Sequence, residues 1–284
     1  MRLSRAAVAV VIAAFAMMIS AQAMAEAPIF VEKGRVYTFA KGTFNFVTGS
    51  YYDYNRDLGQ DFLNREYTEQ FVDLGVMYGF VNNFDITFAV QMHTYQRTMD
   101  GADDGNYFNF NFVNLGLRWR IPTDVLQNSL ELVIMIPCDD GSTEYNSRNP
   151  FAGTLRYMLR KDFANIFFLQ SDVAFRWADV KGMSNFTWGA EAGFTIVRYF
   201  NLGLRYYGDV SFDGYYQSVV ETKKHQIVNP FTAQPSGQEH QWMQAFIYSD
   251  PVGDLEFRLA YNYLVTGRNA FLQNGLEFMV SYKF

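Results

Sequence analysis

The sequence is nearly free of cysteine and contains little histidine. Cys138 is the only cysteine among 284 residues, so no disulfide can form within one chain and no cysteine-rich metal site can be built. The three histidines are His93, His225 and His240. The acidic stretch 100–106 lacks the distal glutamate and the spacing of a helix-flanked calcium loop. We therefore expect neither a bound metal nor another cofactor.

Long apolar runs are missing beyond the first segment of the chain. Arg2 and Arg5 are followed by an apolar run from Ala6 to Ile19, and a small-x-small cleavage pattern ends at Ala25. This run is shorter than the roughly 17 to 25 residues that a membrane-spanning helix needs. We expect residues 1–25 to be a cleaved signal peptide. An uncleaved N-terminal helix is the alternative.

Basic residues are fewer than acidic ones. Because Arg2 and Arg5 fall in the predicted signal peptide, the rest of the chain keeps 21 of the 23 basic residues against 29 acidic ones. The formal net charge falls from -6 to about -8. A domain of this charge is poorly suited to nucleic acid. We expect residues 26–284 to form a single domain that does not bind nucleic acid.

Aromatic residues, in contrast, are abundant. They make up 18% of the sequence, with 28 Phe and 19 Tyr, while the mean hydropathy is only -0.11. A transmembrane barrel produces this combination because its strands alternate lipid-facing and lumen-facing residues, and because Tyr and Trp gather at the two membrane interfaces. A soluble β-sandwich shares the alternation but rarely needs so many aromatics.

The end of the chain alternates with a strict period of two. Leu276, Phe278, Val280, Tyr282 and Phe284 fall on one face. The stretch resembles the C-terminal strand of bacterial outer-membrane proteins, in which alternating apolar residues and a terminal Phe serve as the assembly signal. The resemblance implies recognition by the outer-membrane assembly machinery. An edge strand of a soluble sheet is the alternative.

The same alternation recurs along the chain. It predicts an all-β fold, a transmembrane antiparallel up-and-down β-barrel of about twelve strands, which is an even number as in single-chain bacterial barrels. The predicted strands are residues 42–54, 67–78, 84–95, 107–120, 129–136, 152–160, 164–177, 184–198, 202–212, 239–249, 254–265 and 274–284.

The connections between these strands alternate in length. Short periplasmic turns and long external loops are typical of such barrels, and this pattern predicts that both termini lie on the periplasmic side. Residues 35–40 fit either an extra strand or a periplasmic segment, so ten to fourteen strands are compatible with the sequence. The predicted long connections are residues 55–66, 96–106, 137–151, 178–183, 213–238 and 266–273.

The fourth predicted strand breaks the alternation. Phe108, Phe110 and Phe112 have the opposite parity to Leu115. A β-bulge inserts one extra residue and so reverses the parity of the residues that follow. We expect a bulge near Asn111.

Most charged residues fall on the strand face opposite the apolar one. A charge that faces lipid near the midplane costs about 2 to 4 kcal/mol, so these side chains should face the lumen. Opposite signs recur on neighbouring strands, as in Arg118 beside Glu131 and Arg205 beside Glu191. The predicted pore-lining residues are Glu69, Asp73, Arg118, Arg120, Glu131, Arg156, Asp172, Arg176, Glu191, Arg205, Glu256, Arg258 and Glu277.

Two interpretations of this interior compete. Charged walls can line a narrow water-filled path that filters small solutes by size and charge, or arginine and carboxylate pairs can cross the lumen and largely plug it. We favour a channel or uptake protein that small solutes cross passively. A structural barrel whose long external loops, especially residues 212–238, bind partners is the first alternative.

An enzyme that acts on lipids is the second alternative. A serine-hydrolase barrel of the outer-membrane phospholipase type should contain His-x-Ser, whereas this chain reads His93-Thr94-Tyr95. No nucleophile is paired with a base in the sequence. We expect no catalytic residues.

Three stretches resemble a family of outer-membrane proteins associated with the meta-pathway of phenol degradation. Tyr78–Ile86 resembles its tyrosine-glycine turn, and Asn111–Arg120 resembles its glycine-containing fourth strand. Val133–Ser142 resembles a strand that ends in proline, threonine and glycine, with Cys138 in place of the threonine and an insertion before Gly141. The resemblance implies transport of small molecules, hydrophobic ones included. The expected partners are outer-membrane lipids, the assembly machinery and a small solute.

Overall fold

Antiparallel strands make up nearly all of the chain that a computed structural model of the protein describes. The described residues are 30–53, 56–58, 65–99, 102–138, 151–163, 166–179, 184–197, 200–211, 239–250, 254–268 and 270–284. No helix among them is long and apolar enough to cross a membrane. The predicted signal peptide lies outside the described residues.

The described ranges contain thirteen strands. A short one, β2, pairs with the end of β1, and the other twelve form the wall of a barrel. Their bounds are Val36–Asp53 (β1), Arg56–Leu58 (β2), Arg65–Val81 (β3), Phe84–Met99 (β4), Ala102–Arg120 (β5), Gln127–Pro137 (β6), Ala152–Phe163 (β7), Phe167–Ala178 (β8), Asn185–Val197 (β9), Phe200–Ser211 (β10), Glu239–Ser249 (β11), Leu255–Arg268 (β12) and Ala270–Lys283 (β13).

The sheet closes on itself through its first and last strands. Each wall strand pairs antiparallel with its neighbours in sequence, and β13 pairs antiparallel with β1. Phe284 extends this seam, because its backbone NH donates to the carbonyl oxygen of Val36 at 2.8 Å. The predicted twelve-stranded antiparallel barrel is confirmed. Closure pairs both edges of the sheet, which is how barrels avoid an exposed strand edge.

The start of β1 and the end of β13 mark one end of the barrel, which we call the terminal rim, and the opposite end is the loop rim. The turn between β3 and β4 lies at the terminal rim and consists of Asn82 and Asn83. Asn83 has a φ of 66°, in the left-handed region that asparagine tolerates better than most residues. This two-residue turn was predicted as a short connection. The long predicted connection 213–238 lies outside the described residues.

Alternation sorts the residues of the wall strands into an outward and an inward set. In β6, Leu132 and Ile134 are exposed on the outer surface, while Glu131 is buried inside. The register places Leu132 between Leu117 of β5 and Leu155 of β7, which also face outward. The outer surface is therefore a continuous apolar band, as expected of a barrel wall in contact with lipid.

The predicted bulge in β5 is confirmed. Gln91 of β4 pairs with Phe112, but the next residue, Met92, pairs with Phe110, so Asn111 is the extra residue. The bulge places Phe110 on the outer surface and Phe112 inside the barrel. The bulge explains why the outward-facing residues have even numbers before Asn111 and odd numbers after it.

Two of the predicted long connections are wrong. β4 runs to Met99 and β5 begins at Ala102, so strands occupy most of residues 96–106. Likewise β12 runs to Arg268 and β13 begins at Ala270. These hairpins continue the ladder well beyond the predicted strand ends, and Asp100-Gly101 is a turn signal that favours a tight hairpin. Of residues 35–40, which fitted either an extra strand or a periplasmic segment, residues 36–40 form the start of β1.

Placing a charge on the outward face should destabilise the barrel in lipid. Leu155 is 49% exposed and is the register partner of Leu132, the central residue of β6. We expect Leu155→Arg to lower the free energy of unfolding by about 2 to 4 kcal/mol in vesicles, measured by denaturant titration. Leu155→Ala is the matched control. Equal losses in the two variants would contradict the assignment of this face to lipid.

Candidate functional site

The inward face of the barrel wall carries most of the described charged side chains, and they differ in burial. Most of those near the middle of the strands are almost inaccessible to solvent, as are several toward the terminal rim. Those nearer the loop rim, such as Glu69 and Arg176, are half-buried, and so is Asp73 at the middle of β3. The lumen is therefore filled more tightly in its middle and terminal parts than toward the loop rim.

One cluster at mid-barrel joins two arginines through a single carboxylate. Arg156 of β7 donates to Asp172 of β8 at 2.9 Å, and Arg205 of β10 donates to the other oxygen of the same carboxylate at 3.0 Å. Arg205 reaches over β9 at Gly189, where a Cβ atom would lie 2.9 Å from the Asp172 oxygen. The glycine leaves the space through which this ion pair forms.

A second mid-barrel cluster spans the lumen between non-neighbouring strands. Arg258 of β12 contacts Glu191 of β9 at 3.4 Å, although β10 and β11 lie between these two strands. Its guanidinium also donates to Gln244 at 2.7 Å and lies 4.0 Å from Glu277 of β13. Lys41 of β1 contacts Glu277 at 3.1 Å. Side chains from five wall strands, none of which contributes to the first cluster, thus meet inside the lumen.

These two clusters together form what we call the ion-pair belt. Isolated charges are costly to bury, and a buried pair is stable only when its geometry satisfies both partners. Four cations and three carboxylates share the belt, so its formal charge is close to balanced. Its members are Lys41, Arg156, Asp172, Glu191, Arg205, Arg258 and Glu277.

A third cluster lies closer to the terminal rim. Arg118 donates to Glu131 at 2.9 Å, and its Nε atom lies 3.8 Å from Asp85. All three side chains are at most 1% exposed. The pairing of Arg118 with Glu131 follows from their direct cross-strand register. Asp85 was absent from the predicted set of inward charges, although its parity in β4 could have identified it.

The terminal rim also holds a carboxylate bound by two hydroxyl groups. Tyr37 and Ser281 each donate to the same oxygen of Glu256 at 2.9 Å. These contacts join β1, β12 and β13 at the seam where the barrel closes. Glu256 is consequently tied to the wall at this rim.

The half-buried Asp73 lies at the middle of β3, opposite Lys41 of β1 in the register. Asp73 accepts a hydrogen bond from Gln91 at 3.2 Å. Arg176 lies nearer the loop rim on β8, and Asp209 lies on β10. The loop-rim end of the lumen offers charge and hydrogen-bonding groups to an entering solute.

The described histidines have different environments. His93 stacks on Phe71 with ring centroids 4.0 Å apart, and its ring is thus packed against the inner wall. His240 contacts Asp209 at 3.0 Å through Nδ1, and stacks on Trp242. A carboxylate-oriented imidazole is one part of a nucleophilic site, which also requires a hydroxyl or thiol within hydrogen-bonding distance. His225 lies outside the described residues.

The structure places the predicted pore-lining residues on the inner side of the wall, but it joins some of them differently from the sequence prediction. Arg118 pairs with Glu131 as expected. Arg205 is the register partner of Glu191, yet it donates to Asp172, while Glu191 contacts Arg258. A prediction that considers only neighbouring strands misses such contacts, because long side chains also meet across the lumen.

Arg120 and Lys41 also lie on the inner side of the wall. Arg120 lies at the terminal rim with its guanidinium 5.1 Å from the ring centroid of Phe30. Lys41 is a belt member that the sequence prediction omitted, because the predicted first strand began after it. In the part of the chain that the structure describes, no group of three or more metal-ligating side chains is brought together.

Removing Arg118 should strongly destabilise the barrel, because it leaves two buried carboxylates without their cation. We expect Arg118→Met to lower the free energy of unfolding by about 3 to 5 kcal/mol, measured by denaturant titration in vesicles. Adding Glu131→Gln to that variant should restore part of the loss. Arg35→Met, at an exposed position, is the control. A double variant no more stable than Arg118→Met would argue against the pairing.

Comparisons with known proteins identify similarity in fold but not in sequence. No protein-family model matches the chain, and no curated protein matches it. The proposed kinship with the phenol meta-pathway family therefore stays a prediction.

Several solved structures share the barrel. An outer membrane channel from Pseudomonas putida F1 has a TM-score of 0.68 at 10% sequence identity, and the match covers 93% of this chain and 100% of that one. The NanC porin has a TM-score of 0.52 at 11% identity, with coverage of 87% and 100%. The β domain of the Bordetella autotransporter BrkA has a TM-score of 0.50 at 13% identity, with coverage of 88% and 99%. The chain thus has the fold of an outer-membrane β-barrel.

Proposed function

We propose that this protein is an outer-membrane channel through which small solutes pass passively, along a narrow lumen lined by charged side chains. The observation that carries the proposal is the polar interior of a closed barrel whose outer face is apolar. An inert structural barrel of this size could fill its interior with apolar side chains. Here the interior holds charged groups along much of the wall.

The loop-rim half of the lumen supports entry from outside the cell. Glu69 and Arg176 are half-buried there and remain within reach of solvent. If the terminal rim faces the periplasm, as the sequence predicts, this half faces the external side. Solutes that enter it meet the ion-pair belt next. The predicted pore-lining residues would act in this order along the path.

The ion-pair belt would act as the filter. Its cations and carboxylates contact one another across the lumen, so a passing solute must exchange some of these contacts for its own. A solute that can bind a guanidinium or a carboxylate compensates the ions as they separate. This favours small polar solutes. Passage of hydrophobic molecules is supported by the family resemblance alone.

The proposed role requires no catalysis. The similarity in fold is to channels and porins, although an autotransporter domain shares it too. His93 is packed against an aromatic ring, and the contact of His240 with Asp209 is explained by their direct register across β10 and β11. The proposed partners are the lipids around the apolar band, the machinery that would recognise β13, and the solute.

Planar lipid bilayers provide the direct test of conduction. We expect the purified full-length mature protein to give discrete current steps, because charged and polar side chains line its lumen. Heat-modifiable gel migration should first establish that the inserted protein is folded. A folded protein that gives neither current steps nor solute uptake in liposomes would contradict the channel.

Arg258 should control the size and selectivity of the current, since its side chain bridges β12 and β9. We expect Arg258→Gln to give larger current steps and a shift toward cations, measured as the single-channel current and the reversal potential in a salt gradient. Lys161→Gln removes the same charge outside the lumen, where Lys161 contacts the carbonyl oxygen of Val125, and should change neither quantity. Equal effects in the two variants would show that the belt is not on the conducting path.

A further inference from the structure

The segment Phe30–Gly34, which we call the N-terminal plug, precedes β1 and lies against the inner wall at the terminal rim. Val31 is 1% exposed and packs against Tyr37 and Met77, two inward-facing residues of β1 and β3. A segment that merely led into the first strand from outside would leave this side chain in water. The plug is instead seated inside the barrel wall.

Gly79 forms the seat of the plug. The backbone NH of Gly34 donates to the carbonyl oxygen of Gly79 at 2.6 Å, and the NH of Gly79 donates to the carbonyl oxygen of Arg35 at 3.1 Å. A Cβ atom at position 79 would lie 2.1 Å from the carbonyl oxygen of Glu32 and 2.6 Å from that of Val31. The three atoms nearest to such a Cβ all belong to the plug. Only glycine allows the plug to approach β3 this closely.

Asp85 binds the plug from the next strand. Its Oδ2 atom accepts a hydrogen bond from the backbone NH of Val31 at 3.0 Å. The carboxylate is fully buried and lies beside the guanidinium of Arg118. A hydrogen bond to a charged acceptor is stronger than one between neutral groups. The plug is thus connected directly to the buried charge cluster of the terminal rim.

The plug reaches beyond these two strands. The ring of Phe30 lies 5.1 Å from the guanidinium of Arg120 on β5, and Glu32 contacts Lys283 on β13 at 3.5 Å. Together with Tyr37 on β1, the plug touches five of the twelve wall strands. Its span covers a large arc of the terminal rim.

We propose that the N-terminal plug closes the terminal end of the lumen and that its release from Gly79 and Asp85 opens the channel. This inference rests on the proposed function, since it describes how the same lumen would conduct. Asp85, which binds the plug, and the residues joined to it, Arg118 and Glu131, are at most 1% exposed while the plug is seated.

The plug is the part of this rim that can move without opening the wall. Each wall strand is held by two ladders of backbone hydrogen bonds. The plug is held by one buried apolar side chain, a few hydrogen bonds and an exposed ion pair. Its release leaves the ladders of all twelve wall strands intact.

Gly79→Ala tests the proposal, because the three atoms closest to the added methyl group all belong to the plug. The substitution should therefore push the plug away from β3. The matched control is Gly153→Ala, since a Cβ atom there would have 3.9 Å to its nearest neighbour. We expect the mean current through Gly79→Ala to exceed that of the parent protein by at least about twofold. Gly153→Ala should conduct like the parent. Val31→Asp is a second plug-releasing variant that alters no wall residue.

A chemical readout reports on the plug independently of current. Cys138 is exposed, so the measurement uses a Cys138→Ser background into which Val31→Cys is introduced. A water-soluble maleimide should label position 31 slowly in this protein and at least about tenfold faster after Gly79→Ala, because labelling follows the open population. Heat-modifiable migration confirms folding in each case.

The two readouts separate failure of the plug from failure of the channel. Faster labelling together with larger currents supports the proposal. Faster labelling with an unchanged current would show that the plug is not a gate. The channel hypothesis would stand in that case, provided that the protein conducts. Faster labelling with no current in any variant would contradict the channel as well. Unchanged labelling of the cysteine at position 31 after Gly79→Ala, or labelling already fast without it, would show that the segment is not seated as proposed.

Discussion

The burial of charge inside a wall that faces lipid is the constraint on which the rest of this structure depends. Charged side chains can leave water only when partners of opposite sign are close. In a barrel, the alternation of the strands turns these groups inward, where they meet groups from other strands. The ion-pair belt follows from this constraint. Gly189 is needed for the belt, because the absence of a side chain there lets Arg205 reach Asp172.

Much of the fold could be predicted because a period of two is visible in the sequence. Alternation indicated twelve strands, and the broken parity of β5 indicated the bulge at Asn111. Strand ends were less predictable. Outside the lipid both faces of a strand can be polar, so alternation fades while the backbone ladder continues, as it does in β12 up to Arg268.

The interior was only partly predictable for a different reason. Parity identifies which residues point inward, but it does not give the distance between strands across the lumen. Arg118 and Glu131 are cross-strand neighbours and could be paired from the sequence. Arg258 and Glu191 could not, because they meet across the lumen. The N-terminal plug carried even less signal, since a few residues before a strand have no period to detect.

The belt and the plug give the lumen two different obstacles. The belt is made of side chains, which can exchange partners with a passing solute, whereas the plug is a backbone segment that must leave as a unit. Proteoliposome swelling with neutral solutes of increasing size tests the central claim, that this lumen is a route for small solutes, most directly. The account predicts swelling with the smallest solutes, a sharp size limit, and faster swelling when the plug is released. Swelling no faster than that of empty liposomes, even in the folded plug-releasing variants, would contradict it.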